Sequence, residues 1–272
     1  MKGINYNHAT AHRTARAWMP WLRRYFRFRL SGTAYLPDEP FLMVGNHSGG
    51  TMSIDAALLA GAYIQLDRLP RLVFLAHESF ELLAPFSFGN LLAESGLVIA
   101  SPALARQALD RGFGVMVYPG GERENCRPYA DRKIVHFYGH LGYARLALER
   151  RVPVVPVCSV GSHESLYIFS DGSEIVDRLG LRKLLGFSTL PIALTLPWGL
   201  TVGPLPFIPA PAQITTEILP PIDPVQFLEP DGSVSMLGIH QLDGLVQRRL
   251  REASDRLHEG RLPIVGKLAW KS

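Results

Sequence analysis

An imidazole and a carboxylate flank a glycine-rich turn in Phe41-Leu42-Met43-Val44-Gly45-Asn46-His47-Ser48-Gly49-Gly50-Thr51-Met52-Ser53-Ile54-Asp55. His47 in such a place can take a proton from a hydroxyl, while Asp55 fixes the ring tautomer and stabilises the imidazolium that forms. A plainer reading makes Asp55 a helix-start acid and His47 a loop histidine bonded to backbone. A third makes Ser48 a nucleophile, since Asn46-His47-Ser48-Gly49-Gly50 approximates the elbow of a serine hydrolase, with Asn46 where that elbow wants glycine. Asp231 and His240 would then have to complete the triad.

The elements that position these groups follow from hydrophobic patterning. Phe41 to Val44 is a short apolar run bounded by Gly45 and reads as a buried strand. A helix is expected from Ala56-Ala57-Leu58-Leu59-Ala60, with Ser53 as N-cap and Asp55 in its first turn. Further strands are expected at Leu72–Leu75, Leu97–Ala100, Gly114–Tyr118 and Val152–Cys158, and helices over 102–111, 139–150 and 236–258. Alternating strands and helices predict an α/β fold: a single layered domain with a largely parallel central sheet flanked by helices. Sites in such folds lie at the carboxyl ends of strands. That rule gathers His47, the Pro119–Glu124 turn and the segment after Cys158 on one rim.

The chain of 272 residues, 47% hydrophobic and 19% charged, is long enough for one sizeable core. Two cysteines, Cys126 and Cys158, form no disulfide framework and fit a reducing compartment. No acidic residue precedes Asp38, whereas Lys2, Arg13, Arg16, Arg23, Arg24, Arg27 and Arg29 are basic. With Trp18, Trp21, Tyr25 and Phe26 interleaved, residues 1–30 are expected to be an amphipathic membrane-contact segment ahead of a catalytic domain over 31–272. Paired tryptophans favour lipid over nucleic acid, and Pro20 is expected to end or kink the helix. Packing of the same aromatics on the core is the alternative. No charge occurs from Leu184 to Thr216, and six prolines interrupt the segment, which predicts irregular apolar chain plus a strand, lining an acyl groove, resting on lipid or filling core.

Asn46-His47 followed by Asp55, the Tyr118-Pro119-Gly120-Gly121-Glu122-Arg123-Glu124 turn and the Val152–Val157 strand occur in an order that resembles the glycerolipid acyltransferases, the superfamily of the 1-acylglycerol-3-phosphate acyltransferases. The resemblance spans roughly residues 40–230. Seven residues separate His47 from Asp55 where the family has four, Gly120 and Glu122 replace the Glu and Thr of its third block, and Ala100-Ser101 stands where the second block carries Arg, with Arg106 nearest. The Pro-Gly-Gly-x-Arg-Glu turn and Gly161, Glu164 and Tyr167 look more like the diacylglycerol and wax-alcohol branch.

The resemblance implies an enzyme that moves a fatty acyl group from acyl-CoA or acyl carrier protein to a glycerolipid hydroxyl, a lysophospholipid above all. Diacylglycerol or a long-chain alcohol is the alternative acceptor, and a non-catalytic membrane-binding module the alternative to an enzyme. His47 would be the general base and Asp55 its orienting acid. Arg123 would contact phosphate, with Glu122 orienting it or standing in for the family's missing Glu. Gly49, Gly50 or Gly121 would offer amides to the oxyanion, and Gly120 would line the same turn. The partners implied are the membrane lipid surface, the acyl thioester and the glycerolipid acceptor, with no nucleic acid. The place implied is the cytoplasmic side of a membrane, peripheral or monotopic. No cofactor is implied. No metal is expected either, because His77-Glu78 and His163-Glu164 lack the second histidine of a zinc helix.

Overall fold

The computed structural model describes residues 3–50, 52–68, 70–77, 87–180, 189–203 and 207–267. Its order is α1 (His8–Tyr25), β1 (Arg29–Ser31), β2 (Leu42–Gly45), α2 (Ile54–Leu66), β3 (Leu72–Ala76), α3 (Ser87–Glu94), β4 (Leu97–Ile99), α4 (Pro102–Asp110), β5 (Gly114–Val117), α5 (Gly121–Asn125), α6 (Gly142–Arg150), β6 (Val154–Val160), β7 (Tyr167–Ser170), α7 (Ser173–Arg178), β8 (Ile192–Thr195), β9 (Gly199–Val202), β10 (Thr215–Ile218) and α8 (Met236–His258).

Seven strands form the main sheet in the order β1-β10-β6-β2-β5-β3-β4. The run from β6 to β4 is parallel; β10 lies antiparallel to β6 and parallel to β1. β2 is central because both of its faces are apolar. Leu42 and Val44 look towards Val115, Val154, Leu148, Leu242 and Val246, whereas Phe41 and Met43 join Leu59, Tyr63, Phe74 and Met116. α4, α6 and α8 cover the first face and α2 the second. α1 lies outside α2, burying Ala11, Ala15 and Met19, and Met19 sits in the notch left by Gly61, where a side chain would strike its sulfur.

The expected strands and helices are present to within a few residues, with differences that have physical causes. Helix α1 runs through Pro20. The proline is exposed, and the packing of Met19 and Ala15 on α2 holds the helix together across the missing amide. Its tryptophans do not enter the core: Trp18 is 60% and Trp21 56% exposed. The 30/31 boundary falls inside β1, a strand of the main sheet. Ser53 stands at the N-cap of α2 but makes no capping bond, because its left-handed backbone turns the hydroxyl away to accept from Asn125 Nδ2 at 3.1 Å. The uncharged stretch is less irregular than expected. It forms two strands of a second, antiparallel sheet, β7-β8-β9, and leads into β10. Residues 184–188 and 204–206 of that stretch, and Glu78 of the His77-Glu78 pair, lie outside the described residues.

Candidate active site

Four parallel strands deliver their carboxyl ends to one rim. β2 passes through Gly45 to Asn46 and His47, β5 leads into Tyr118, β6 into Gly161–Glu164, and β3 into His77. Asn46 is locked to β6 by a reciprocal pair, its Nδ2 donating to Ser159 O at 3.0 Å and its Oδ1 accepting from Ser159 N at 2.9 Å. His47 leaves the sheet directly after this lock. Its ring stacks on Tyr118 with centroids 4.2 Å apart and planes 10° from parallel, which fixes the plane of the imidazole.

Asp55 is fully buried, and its carboxylate closes the glycine-rich loop on itself. Oδ2 accepts from Ser48 N at 2.7 Å and Oδ1 from Ala56 N at 2.9 Å. The same Oδ2 lies 3.7 Å from His47 Nδ1. That is an ion-pair distance, longer than a hydrogen bond. Burial pushes the Asp55 carboxyl up, but His47 and the two amides pull harder and hold it below the ordinary carboxylate value. Asp55 is therefore an anion at neutral pH, beside the ring that would gain a positive charge. Seven intervening residues still reach the ring because Gly49 and Gly50 take left-handed backbone and coil the loop tightly. A Cβ on Gly49 would drive into the His163 ring.

Two residues that the sequence does not tie to His47, one of them Glu124 at the end of the Tyr118–Glu124 turn, where it is the alternative salt-bridge partner of Arg123, hold the His47 peptide from both sides. Glu124 Oε2 accepts from His47 N at 3.0 Å, and Arg127 Nη2 donates to His47 O at 2.9 Å. Glu124 and Arg127 are themselves paired at 3.3 Å with side chains 1% and 5% exposed. Burial raises the Glu124 carboxyl against the opposing pull of Arg127. The -Arg-Glu-x-x-Arg- spacing at 123–127 puts Glu124 and Arg127 on one side of a helical turn, a pattern that a solvated surface shares.

The remaining expected residues are distributed as follows. Gly121 and Glu122 line a cavity of about 330 Å³ together with His47, Tyr118, Phe74, Leu75 and Leu97. Glu122 Oε1 accepts from Thr189 N at 3.2 Å and from the Thr189 hydroxyl, tying the turn to the chain before β8. Gly120 leaves room for Glu124, whose carboxylate a Cβ there would strike. The amides of Gly50 and Gly121 are already spent, on Asn125 O at 3.1 Å and Tyr118 O at 3.1 Å, so neither is free for an oxyanion. Arg123 is exposed, its guanidinium 4.5 Å from the centre of the Tyr138 ring and outside the cavity wall. Arg106 reaches Glu149 at 3.1 Å on the far side of the sheet. Glu164 forms a buried ion pair with Arg261 at 2.7 Å, which makes the Gly161–Tyr167 segment a brace for the C-terminal chain. Cys126 lines the cavity, but burial pushes its thiol up to about 12, too high for a thiolate nucleophile.

The family model described as Acyltransferase matches residues 27–160, from just before β1 to the end of β6. The matched stretch, residues 27–160, is of the acyltransferase superfamily. The matched stretch holds His47, Asp55, Glu124 and Arg127 together. An uncharacterized protein of Mycobacterium tuberculosis is 26% identical over 251 residues, covering 90% of this chain and 65% of the relative. Another from Mycobacterium leprae is 24% identical over 247 residues, covering 90% and 64%. The chain thus spans just under two thirds of the length of these curated relatives. Among solved structures, the 1-acyl-sn-glycerophosphate (LPA) acyltransferase PlsC from Thermotoga maritima superposes with a TM-score of 0.51 at 18% identity, over 90% of this chain and 79% of that one. That likeness is one of fold.

The serine hydrolase arrangement is not assembled. The Ser48 hydroxyl is buried and donates to Ser162 Oγ at 2.8 Å, whereas Asp231 and His240 are exposed near and on α8.

Proposed function

We propose that this acyltransferase-superfamily chain moves a fatty acyl group from an acyl thioester, acyl-CoA or acyl carrier protein, to the hydroxyl of a glycerolipid, with His47 as general base. The observation that carries the reading is the ion-pair approach of a buried Asp55 anion to His47 on the wall of a cavity that also presents Phe74, Leu75 and Leu97. A thioester is already activated, because its leaving thiol ionises near ~8.5. The hydroxyl is the poor partner. His47 removes its proton as the oxygen attacks the carbonyl, Asp55 stabilises the imidazolium, and the thiolate departs with that proton. The 3.7 Å gap is of the kind that tightens once substrate arrives. Phe74, Leu75, Leu97 and Pro191 offer an acyl chain an apolar wall next to the base.

A lysophospholipid such as 1-acylglycerol-3-phosphate is the acceptor we favour, with diacylglycerol or a long-chain alcohol as the alternative. Arg123, exposed and next in sequence to Glu122 of the cavity wall, is the cation proposed to meet a headgroup phosphate. An acceptor screen over lysophosphatidic acid, other lysophospholipids, diacylglycerol and hexadecanol decides between them. Strict dependence on a phosphorylated acceptor, with KM raised in Arg123→Ala, supports the lysophospholipid reading. Equal rates with hexadecanol and no effect of Arg123→Ala move the assignment to the neutral acceptors.

A membrane surface is the proposed partner. What supports it is a band of exposed apolar side chains beside a basic helix. On the β7-β8-β9 sheet, Phe169, Leu194, Leu200 and Val202 stand 53%, 53%, 68% and 54% exposed, while Ile168 and Ala193 on the other face are buried. The band continues through Leu196 and Ile208, bonded backbone to backbone, to Pro209, whose carbonyl accepts from Tyr25 OH at 2.7 Å. Tyr25 stacks on Trp21 of α1 at 5.1 Å. Exposed Arg16, Arg23, Arg24 and Arg27 accompany the tryptophans, a combination suited to anionic headgroups. No helix among the described residues is long and apolar enough to cross a membrane. The contact proposed is peripheral or monotopic, on the cytoplasmic side.

A further inference from the structure

At the start of α1, His8 and His12 stand four residues apart, so their rings leave the helix on one side, one turn from each other. Their ring centroids are 4.3 Å apart. Asp67, the C-cap residue of α2, faces both. His8 Nε2 lies 3.0 Å and His12 Nε2 3.3 Å from Asp67 Oδ1, and one donor atom from each of the three residues falls within 4.8 Å of the others. Ligands held at about 2.0–2.2 Å around a tetrahedral Zn²⁺ are roughly 3.3 Å from one another. The three side chains therefore already stand near coordination spacing. Independently, His12 Nε2 is a buried nitrogen with no hydrogen-bond partner. A coordinate bond satisfies that atom, whose 3.3 Å approach to Asp67 Oδ1 is not a hydrogen bond.

We infer that His8, His12 and Asp67 form a binding site for a borderline first-row divalent cation of the Zn²⁺ class, with a remaining position open to water. Two imidazoles and one carboxylate suit that class better than Mg²⁺ or Ca²⁺, which take oxygen ligands. The surroundings sharpen the choice. Arg71 Nη1 bonds the same Asp67 oxygen at 2.9 Å, and Arg16 lines the open cleft beside His12 and Asp67. Positive charge on two sides repels an ion held only by the field, so what binds must form covalent-like bonds to nitrogen. Arg71 then acts as the outer partner that orients the carboxylate.

The ion would join the start of α1 to the C-cap of α2, closing an antiparallel helix pair otherwise held by Ala11, Ala15 and Met19. The site does not depend on the acyl-transfer reading, since none of its residues lines the cavity around His47.

Titration of the tag-free full chain with Co²⁺, followed by visible d–d absorption, and with Zn²⁺ by calorimetry, tests the site. One ion per chain is expected, with Zn²⁺ but not Mg²⁺ raising the melting temperature. Affinity should fall at least about tenfold in His12→Ala and in Asp67→Asn. Asp67→Asn keeps the fold because asparagine suits the left-handed cap, and far-ultraviolet circular dichroism verifies it. Absence of a Co²⁺ spectrum in the wild type overturns the proposal, as does an undiminished spectrum in the His8→Ala/His12→Ala double variant. Metal taken up with equal affinity by wild type and Asp67→Asn also counts against it.

Discussion

At the scale of single residues, the site depends on how one peptide group is held. The His47 amide and carbonyl are gripped by Glu124 and Arg127, and the ring is stacked on Tyr118. Imidazole position therefore rests on a buried ion pair that touches neither substrate nor proton. Glu124→Gln keeps the shape but loses the charge, and kcat is expected to fall while KM stays close to wild type, measured by steady-state thiol release. An unchanged kcat would deny Glu124 a positioning role. Arg127→Met strands the carboxylate in the interior, and a loss of about 3–5 kcal/mol is expected in denaturant unfolding, because breaking such a pair leaves an uncompensated charge. Residue type and order single out His47 and Asp55, which the fold brings within 3.7 Å of each other. Glu124 and Arg127 are not singled out in this way, since an Arg-Glu-x-x-Arg helix turn reads equally well as a solvated surface until the fold buries it.

At the scale of elements, parallel strands were the easiest to read, because β2, β3, β5 and β6 are buried on both faces and appear as unbroken apolar runs. The edges were harder. β1 has only three residues and β10 follows a proline-rich stretch, so their pairing depends on partners distant in sequence. The turn after β6 carries a pH-sensitive element. His163 is buried against Gly49 with its amide bonded to Ser48 O at 2.7 Å. Burial, reinforced by Arg127, holds its imidazole well below the ordinary 6.5. The folded ring thus stays neutral while the unfolded one gains a proton below 6.5, so this group costs stability as pH falls through that value. The slope it contributes is up to about 1.4 kcal/mol per pH unit. His163→Phe should flatten the dependence of the melting temperature on pH between neutrality and pH ~5. Parallel profiles for the two proteins would show that His163 is not the group responsible.

At the scale of the whole molecule, the segment that follows β6 on the His47 rim, the apolar sheet and the basic helix are joined by a chain of contacts through Ser165, Ala210, Pro209, Tyr25 and the β8 end. The overall α/β layering was legible from the alternation of strands and helices. The second sheet was not, because a charge-free stretch with prolines has no period that separates a docking face from a core. Binding to anionic vesicles should weaken in Trp21→Ser and in Leu200→Asp. Salt should weaken it further, since headgroup attraction to the arginines is screened; vesicle sedimentation measures both. Equal pelleting of wild type and a Trp21→Ser/Leu200→Asp double variant would rule this band out as the contact surface. The central claim is that His47 extracts the acceptor proton, and release of free thiol from a long-chain acyl thioester in the presence of a lysophospholipid tests it most directly. With folding of both proteins confirmed by their melting transitions, His47→Ala is predicted to lose roughly 10²–10⁴-fold in kcat, whereas turnover equal to wild type would contradict the account.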